Sequence, residues 1–179
     1  MTAVNIVFMK EAVIVATDSQ GTEEAKTYDV NKLFSFPNKN MIVACRGQAK
    51  FAETFVNQLE YNMDVNSYDD IIEDAENYIQ QLYASKNAEH MKQPDATPIE
   101  ITIYIVGWSK KLNKCLAVSF DNEDNFAKEL LPKWAVAPGV TTFDASWRLG
   151  KYEQVSVRDS KKGLCRCVRL MWTTLALEV

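Results

Sequence analysis

The chain has 179 residues, of which 47% are hydrophobic, and a formal net charge of -4 at pH 7. This length suits one domain with its own core, and no segment approaches the roughly 18 to 20 consecutive apolar residues that a membrane span needs. The N-terminus has no basic segment followed by an apolar signal region, and the acidic balance disfavours a nucleic-acid surface. We therefore expect a single cytoplasmic domain over residues 1–179 that binds neither membrane nor nucleic acid.

Two strand pairs are predicted in the first fifty residues. Apolar residues alternate over 4–8 and form an almost unbroken run over 12–16, which predicts an opening hairpin. A second pair is predicted at 32–36 and 41–45, where a Pro-Asn-Lys-Asn turn separates two apolar runs. The polar stretch 18–29 is interpreted as the connection between the two pairs.

Two helices are predicted next. Over residues 49–59 the apolar positions recur at helical spacing. Ser67 is a favourable N-cap with Asp70 three residues later, and a second amphipathic helix begins there. Residues 85–98 are polar and contain two prolines and His90, so we predict that they form a loop in which His90 is solvated.

Strands are predicted again after this loop. Residues 99–106 and 114–120 have the pattern of a third antiparallel pair, and 134–137 is a short strand-like segment. Residues 140–179 are compatible with helix or strand. Strand pairs, two helices and further strand pairs indicate an α+β fold in which two sheets are packed between helices.

Three short motifs occur in a characteristic order. The sequence ATDS at 16–19 ends the first hairpin, VNKL at 30–33 begins the next strand, and RGQ at 46–48 precedes the first helix. This order resembles the proteasome β subunits and the bacterial HslV-type peptidase, which are N-terminal-nucleophile (Ntn) hydrolases. The resemblance extends over residues 2–139 and leaves 140–179 as a divergent or truncated tail. It implies a four-layer αββα sandwich of two antiparallel sheets between helices.

The resemblance assigns roles to four residues. Thr2 becomes the nucleophile once the initiator methionine is removed, and its α-amine acts as the base because that group titrates near pH 8. Lys32 favours the neutral amine and the forming alkoxide, while Asp18 orients Lys32 and balances its charge. The backbone N–H of Gly47 donates to the oxyanion of the tetrahedral intermediate. Peptide or amide bonds are then cleaved without any cofactor or metal.

Two departures from the family leave alternatives open. If the alternation at 4–8 is matched to that of the family, Met1 rather than Thr2 falls at the nucleophile position, although an extra residue in the 9–12 turn absorbs this shift. The family also has a supporting serine where this chain reads Ala-Pro-Gly-Val at 137–140. The alternatives are therefore a catalytically inactive assembly or binding subunit, or a stand-alone amidase acting on a small metabolite.

The resemblance further implies partners. A homo-oligomer is expected, in the form of a ring, and an ATPase that feeds substrate is a further candidate partner. Cys165 and Cys167 could supply half of a four-ligand metal site, but the sequence offers no second cysteine pair or histidine cluster to complete it. We therefore expect no metal site there.

Overall fold

A computed structural model gives the fold and describes residues 4–8, 12–18, 20–23, 26–61, 66–131, 152–159 and 163–171. This part of the chain forms two large sheets, a two-stranded ribbon and two helices. In chain order the elements are β1 (Val4–Phe8), β2 (Ala12–Asp18), β3 (Gln20–Glu23), β4 (Lys26–Asp29), β5 (Leu33–Phe36), β6 (Met41–Gly47), α1 (Ala49–Tyr61), α2 (Tyr68–His90), β7 (Ile101–Ser109), β8 (Lys114–Asp121), β9 (Glu129–Leu130), β10 (Tyr152–Asp159) and β11 (Gly163–Met171).

The predicted opening hairpin is confirmed as one half of a four-stranded sheet. Its strand order is β1-β2-β11-β10, and every neighbouring pair is antiparallel. Val4 lies opposite Thr17 and Phe8 lies opposite Val13, so β1 starts beside the end of β2. Val4, Ile6, Val13 and Val15 are buried, which is the period-two pattern of a sheet with one covered face.

The second and third predicted strand pairs combine in one five-stranded sheet. Its order is β5-β6-β7-β8-β9, again with antiparallel neighbours. The turn before β6 is a short 3-10 segment that begins at Pro37, and Asn40 closes it in the left-handed conformation with φ of 52°. An asparagine tolerates this conformation better than most residues with a β-carbon, so the sequence favours the reversal at this point.

Both helices pack on the same face of the five-stranded sheet. The buried side of α1 carries Phe51, Phe55 and Leu59 at helical spacing. In α2 the Ser67 hydroxyl accepts the backbone N–H of Asp70 at 3.3 Å, as the N-cap prediction requires. The two helices and the sheet enclose one apolar cluster, in which each fully buried large side chain contributes about 1.5–3 kcal/mol.

A second cluster lies between the two sheets. Val4, Ile6, Val13 and Val15 of the four-stranded sheet meet a set of small and branched residues from the other sheet, namely Leu33, Ile42, Ala44, Val106 and Ala117. The described layers therefore run from helices to the five-stranded sheet and then to the four-stranded sheet. A fourth layer of helices is not among the described residues, and the four-layer arrangement stays a prediction.

Three sequence interpretations need correction. The stretch after Asp18 is not a plain connection, because β3 and β4 pair there as an antiparallel ribbon. The loop predicted at 85–98 begins too early, since α2 continues to His90, which ends the helix instead of lying in a loop. In the tail, β10 and β11 are strands, and β11 pairs with β2. The predicted strand at 134–137 lies outside the described residues.

Candidate functional site

Gly47 has a backbone conformation that other residues adopt only with strain. It is the last residue of β6, two positions before α1, and its φ is +106°. A β-carbon at this position would collide with the backbone carbonyl oxygen of Glu100. The next N–H, from Gln48, donates to that same oxygen at 3.1 Å. The junction between β6 and α1 therefore requires glycine on both conformational and steric grounds.

Lys32 lies beside the strand that carries Gly47. Its backbone carbonyl accepts the N–H of Cys45 at 2.9 Å, which continues the pairing of β5 with β6 by one residue. The residue is buried, at 7% exposure, which is rare for a lysine because the charged amine must be compensated. A buried lysine next to the β6 strand end is consistent with a functional position.

Asp18 and Thr2 are the remaining residues assigned from the sequence. Asp18 is the last residue of β2, as the motif predicts, and its backbone lies opposite Cys165 of β11. Thr2 lies outside the described residues. The structure thus places Lys32 and Gly47 at one sheet and Asp18 at the end of a strand in the other, while the position of Thr2 stays a prediction.

One face of the five-stranded sheet meets the other sheet. This face is apolar in its middle and polar towards Gly47. One row across β6, β7 and β8 consists of Ile42, Val106 and Ala117. The next rows, towards Gly47, hold a polar set that we call the polar end: Arg46, Thr102, Tyr104, Ser119, Asp121 and Glu129.

Hydrogen bonds organise much of this polar end. The Thr102 hydroxyl donates to an Asp121 carboxylate oxygen at 2.6 Å, and the Ser119 hydroxyl donates to Glu129 at 3.3 Å. Arg46 is exposed, and it forms no ion pair with any residue of the described ranges. The phenol hydroxyl of Tyr104 likewise forms no hydrogen bond within the described part of the chain. Arg46, which directly precedes Gly47, and Tyr104, which lies opposite Ala44, are therefore polar groups of this face without a partner among the described residues.

Tyr104 was not singled out by sequence reasoning. On its own, a tyrosine inside an apolar strand is indistinguishable from a core aromatic. The missed signal is the alternation of Thr102 and Tyr104 on one face of β7 with apolar residues on the other, next to the RGQ motif on the neighbouring strand. Register was needed to place these residues beside Arg46.

A cleft opens on the helix side of the same strand end. It has a volume of about 640 Å³, within the range of ligand pockets, and its walls are the start of α1, the end of α2 and β4. Gln48 and Ala49, which directly follow Gly47, line it, and Phe51 and Ile99 form a buried apolar floor. The charged rim includes Lys86 and Glu89, which form an ion pair at 3.3 Å.

Cys45 does not qualify as an alternative nucleophile. Burial raises the pKa of its thiol to about 12, so the reactive thiolate is scarce at neutral pH. Its side chain belongs to the apolar cluster under the helices. Within the described residues, no group of three or more histidine, cysteine, aspartate or glutamate side chains is arranged to hold a metal ion. Neither described helix is both long and apolar enough to cross a bilayer.

Comparison with known proteins supports the fold. No family model and no curated protein matches the chain. Among solved structures, Anbu (ancestral beta-subunit) from Yersinia bercovieri is similar, with a TM-score of 0.52 and 14% sequence identity. The match covers 72% of this chain and 56% of that chain, so the chain spans just over half the length of this neighbour. The likeness supports a proteasome β-subunit-like fold and does not extend to the HslV-like assignment.

Proposed function

We propose that the chain is a threonine-type Ntn hydrolase that cleaves peptide or amide bonds, with Thr2 as nucleophile. The observation that carries the proposal is the glycine requirement at position 47. Its left-handed backbone at the entry to α1, next to buried Lys32, matches what the resemblance demands of an oxyanion donor and its neighbouring cation. The fold shared with Anbu supports the same reading.

The proposed mechanism uses only groups of this chain. The neutral α-amine of Thr2 takes the proton of its own hydroxyl as the oxygen attacks the carbonyl carbon. The N–H of Gly47 donates to the carbonyl oxygen as it becomes negative, an interaction commonly worth about 3 kcal/mol. Lys32 disfavours protonation of the amine, and Asp18 orients Lys32. The Thr2 ammonium gives its proton to the leaving amine as the carbon–nitrogen bond breaks, and water then hydrolyses the resulting acyl-enzyme.

We propose that the cleft beside Gly47 receives the substrate. Its volume of about 640 Å³ is within the range of ligand pockets, and Gln48 and Ala49 of its wall directly follow Gly47. We propose cytoplasmic location and assembly into a homo-oligomeric ring, for which the Anbu-like fold is the support. We further propose that the protein resembles the HslV-type peptidase in its activity and that an ATPase partner feeds it substrate.

Mass analysis of the N-terminus, followed by a nucleophile variant, tests this function. We expect Met1 to be absent and a Thr2→Ala variant to lose hydrolysis of fluorogenic peptides. Ser85→Ala is the control, because it removes a hydroxyl from an exposed position of α2 outside the cleft lining. Quantitative retention of Met1 would contradict the threonine mechanism, since the Thr2 amine would not be free.

The inactive subunit is the second candidate, and a sequence observation favours it. Residues 137–140 lack the serine that supports the nucleophile in the family. Folded, assembled protein with Met1 retained and no peptide hydrolysis would support this candidate. The stand-alone amidase is distinguished by turnover of small amides by a monomer.

A further inference from the structure

The cleft beside Gly47 has an aromatic wall with no assigned role. Tyr28 of β4 lines this cleft, and its side chain is 43% exposed. It lies opposite Gly21 of β3, where an added β-carbon would approach its ring within 2.7 Å. An aromatic side chain that covers a glycine across a β-ribbon compensates for the missing side chain. The ring can therefore occupy this place at the cleft because residue 21 is glycine.

We propose that Tyr28 is a specificity-determining residue, whose ring makes the cleft select substrates with an aromatic side chain. This inference rests on the proposed function, because it takes the cleft as the place that receives the substrate. It adds the class of side chain that the cleft prefers.

The cleft combines an apolar floor with polar walls. Phe51 and Ile99 of the floor are buried, and the small side chain of Ala49 leaves space above them. The walls also carry uncharged side chains that can hydrogen-bond the amide groups of a peptide backbone, namely Gln48, Thr54 and Gln93. An aromatic side chain can thus contact the floor and the Tyr28 ring while its backbone meets these polar groups.

The charges around the cleft disfavour a cationic side chain as the occupant. A lysine or arginine could also bind the face of the Tyr28 ring. The lining, however, carries two lysines, two glutamates and one histidine, namely Lys50, Lys86, Glu53, Glu89 and His90. Because Glu89 already pairs with Lys86 at 3.3 Å, and Lys50 balances Glu53, the lining has no excess of negative charge to attract a cation.

The position of the ring depends on its contact with Gly21. The ribbon of β3 and β4 pairs with no other strand among the described residues. A two-stranded ribbon by itself is marginally stable in water, so side-chain contacts contribute much to its arrangement. A β-carbon at position 21 should therefore displace the ring from the cleft wall without changing the helices that form the other walls.

Two variants that act on the ring in different ways test the proposal. Tyr28→Ala removes the ring, whereas Gly21→Ala keeps it and displaces it. The binding of N-acetyl-phenylalaninamide and N-acetyl-alaninamide is measured by ligand-observed NMR titration, and kcat and KM are measured for fluorogenic peptides with phenylalanine or alanine before the cleaved bond. We expect the wild type to prefer phenylalanine, and both variants to reduce this preference about three- to tenfold, mainly through KM.

Two further variants serve as controls. Tyr61→Ala removes the ring of a tyrosine that is 75% exposed and lies outside the cleft lining, so the preference should not change. Tyr28→Phe keeps the ring and removes only the hydroxyl, so it should retain the preference that Tyr28→Ala loses. Urea denaturation of each variant shows whether it is folded under the assay conditions.

The outcomes separate this inference from the proposed function. An unchanged preference in Tyr28→Ala, or no preference in the wild type, would overturn the role of Tyr28 and leave the proposed hydrolysis standing. Stronger binding of N-acetyl-lysinamide than of N-acetyl-phenylalaninamide would overturn it in favour of a cationic side chain. Retained Met1 without peptide hydrolysis would overturn the proposed function, whereas the ratio of the two binding constants would still decide the role of Tyr28.

Discussion

At Gly47 the backbone restricts the sequence on two counts. Its φ of +106° is unfavourable for residues with a β-carbon, and the added carbon would meet the Glu100 carbonyl oxygen. We expect Gly47→Ala to lower the free energy of unfolding by about 2–4 kcal/mol, measured by urea denaturation.

Gly21→Ala is the control for this prediction. A β-carbon there would meet the ring of Tyr28 at 2.7 Å, but that side chain is 43% exposed and can move aside. We expect its cost to stay below about 1 kcal/mol. Equal losses for the two variants would show that backbone conformation is not what restricts position 47.

Two tyrosines of α2 have opposite hydrogen-bonding situations. Tyr83 donates to the carbonyl oxygen of Ile99 at 3.0 Å, whereas the buried hydroxyl of Tyr78 has no partner in the described residues. We expect Tyr83→Phe to cost about 1 kcal/mol in thermal or urea unfolding, and Tyr78→Phe to be neutral or stabilising. A larger loss for Tyr78→Phe would mean that its hydroxyl has a partner after all.

Some residues of the proposed site can be selected from the sequence one at a time, and others cannot. Asp18, Lys32 and Gly47 stand in an order that a sequence displays directly, because each is tied to a strand end. Arg46 and Tyr104 are 58 positions apart in the numbering of the chain. Only the β6–β7 register brings them together, and register depends on tertiary packing.

At the scale of elements, the start of α2 depends on its capping residue. Ser67 accepts the Asp70 N–H, and its hydroxyl donates to the Asp70 carboxylate at 2.7 Å. We expect Ser67→Ala to cost about 1 kcal/mol at neutral pH. The Ser67 hydrogen bond lowers the pKa of Asp70 in the folded protein, so its contribution is present above the ordinary aspartate pKa and is lost as pH falls through the lowered value.

The stability difference between wild type and Ser67→Ala should therefore shrink below about pH 4, measured by urea denaturation at several pH values. Thr54→Ala is a useful control, because its hydroxyl bonds a backbone carbonyl within α1 and involves no carboxylate. A Ser67→Ala difference that is constant from pH 7 to pH 3 would argue against the Asp70 contact.

The first turn of α2 also fixes the β7–β8 turn. One Asp69 oxygen accepts the backbone N–H groups of Lys110 and Lys111 at 2.8 and 3.2 Å. We expect Asp69→Ala to cost about 1 kcal/mol, because two donors lose a charged acceptor. Glu73→Ala should cost less than about 0.5 kcal/mol, since its ion pair with Lys111 is largely exposed. Equal costs in urea denaturation would contradict this ranking.

Elements with a covered apolar face were predictable, and those without one were not. The apolar spacing of α1 and the alternation of β1 mark surfaces that must be buried. The ribbon of β3 and β4 reads QGTE and KTYD, with no apolar alternation to reveal a strand. The last turns of α2 lie beyond its final buried residue, Leu82, so periodicity ends before the helix does.

At the scale of the whole molecule, β11 joins the first and last parts of the chain. It pairs with β2 over residues 12–18, so the four-stranded sheet depends on a pairing between two strands that lie far apart in the sequence. No local pattern predicts such a partner, which is why the sequence left the tail open between helix and strand. The proteasome-like sandwich was nevertheless predictable, because the motifs mark strand ends and follow one another along the chain in the order that the fold requires.

The proposed assembly is the last property that belongs to the whole molecule. Several large apolar side chains remain exposed on the described surface, namely Val7, Tyr61, Leu112 and Leu130. In the proposed ring, some of these side chains would be covered by a second copy of the chain. We expect size-exclusion chromatography with light scattering to give a mass well above that of one chain, 20.3 kDa, with dissociation on dilution if the interface is small. A monomer at all concentrations, combined with turnover of small amides, would replace the ring-forming peptidase by the stand-alone amidase.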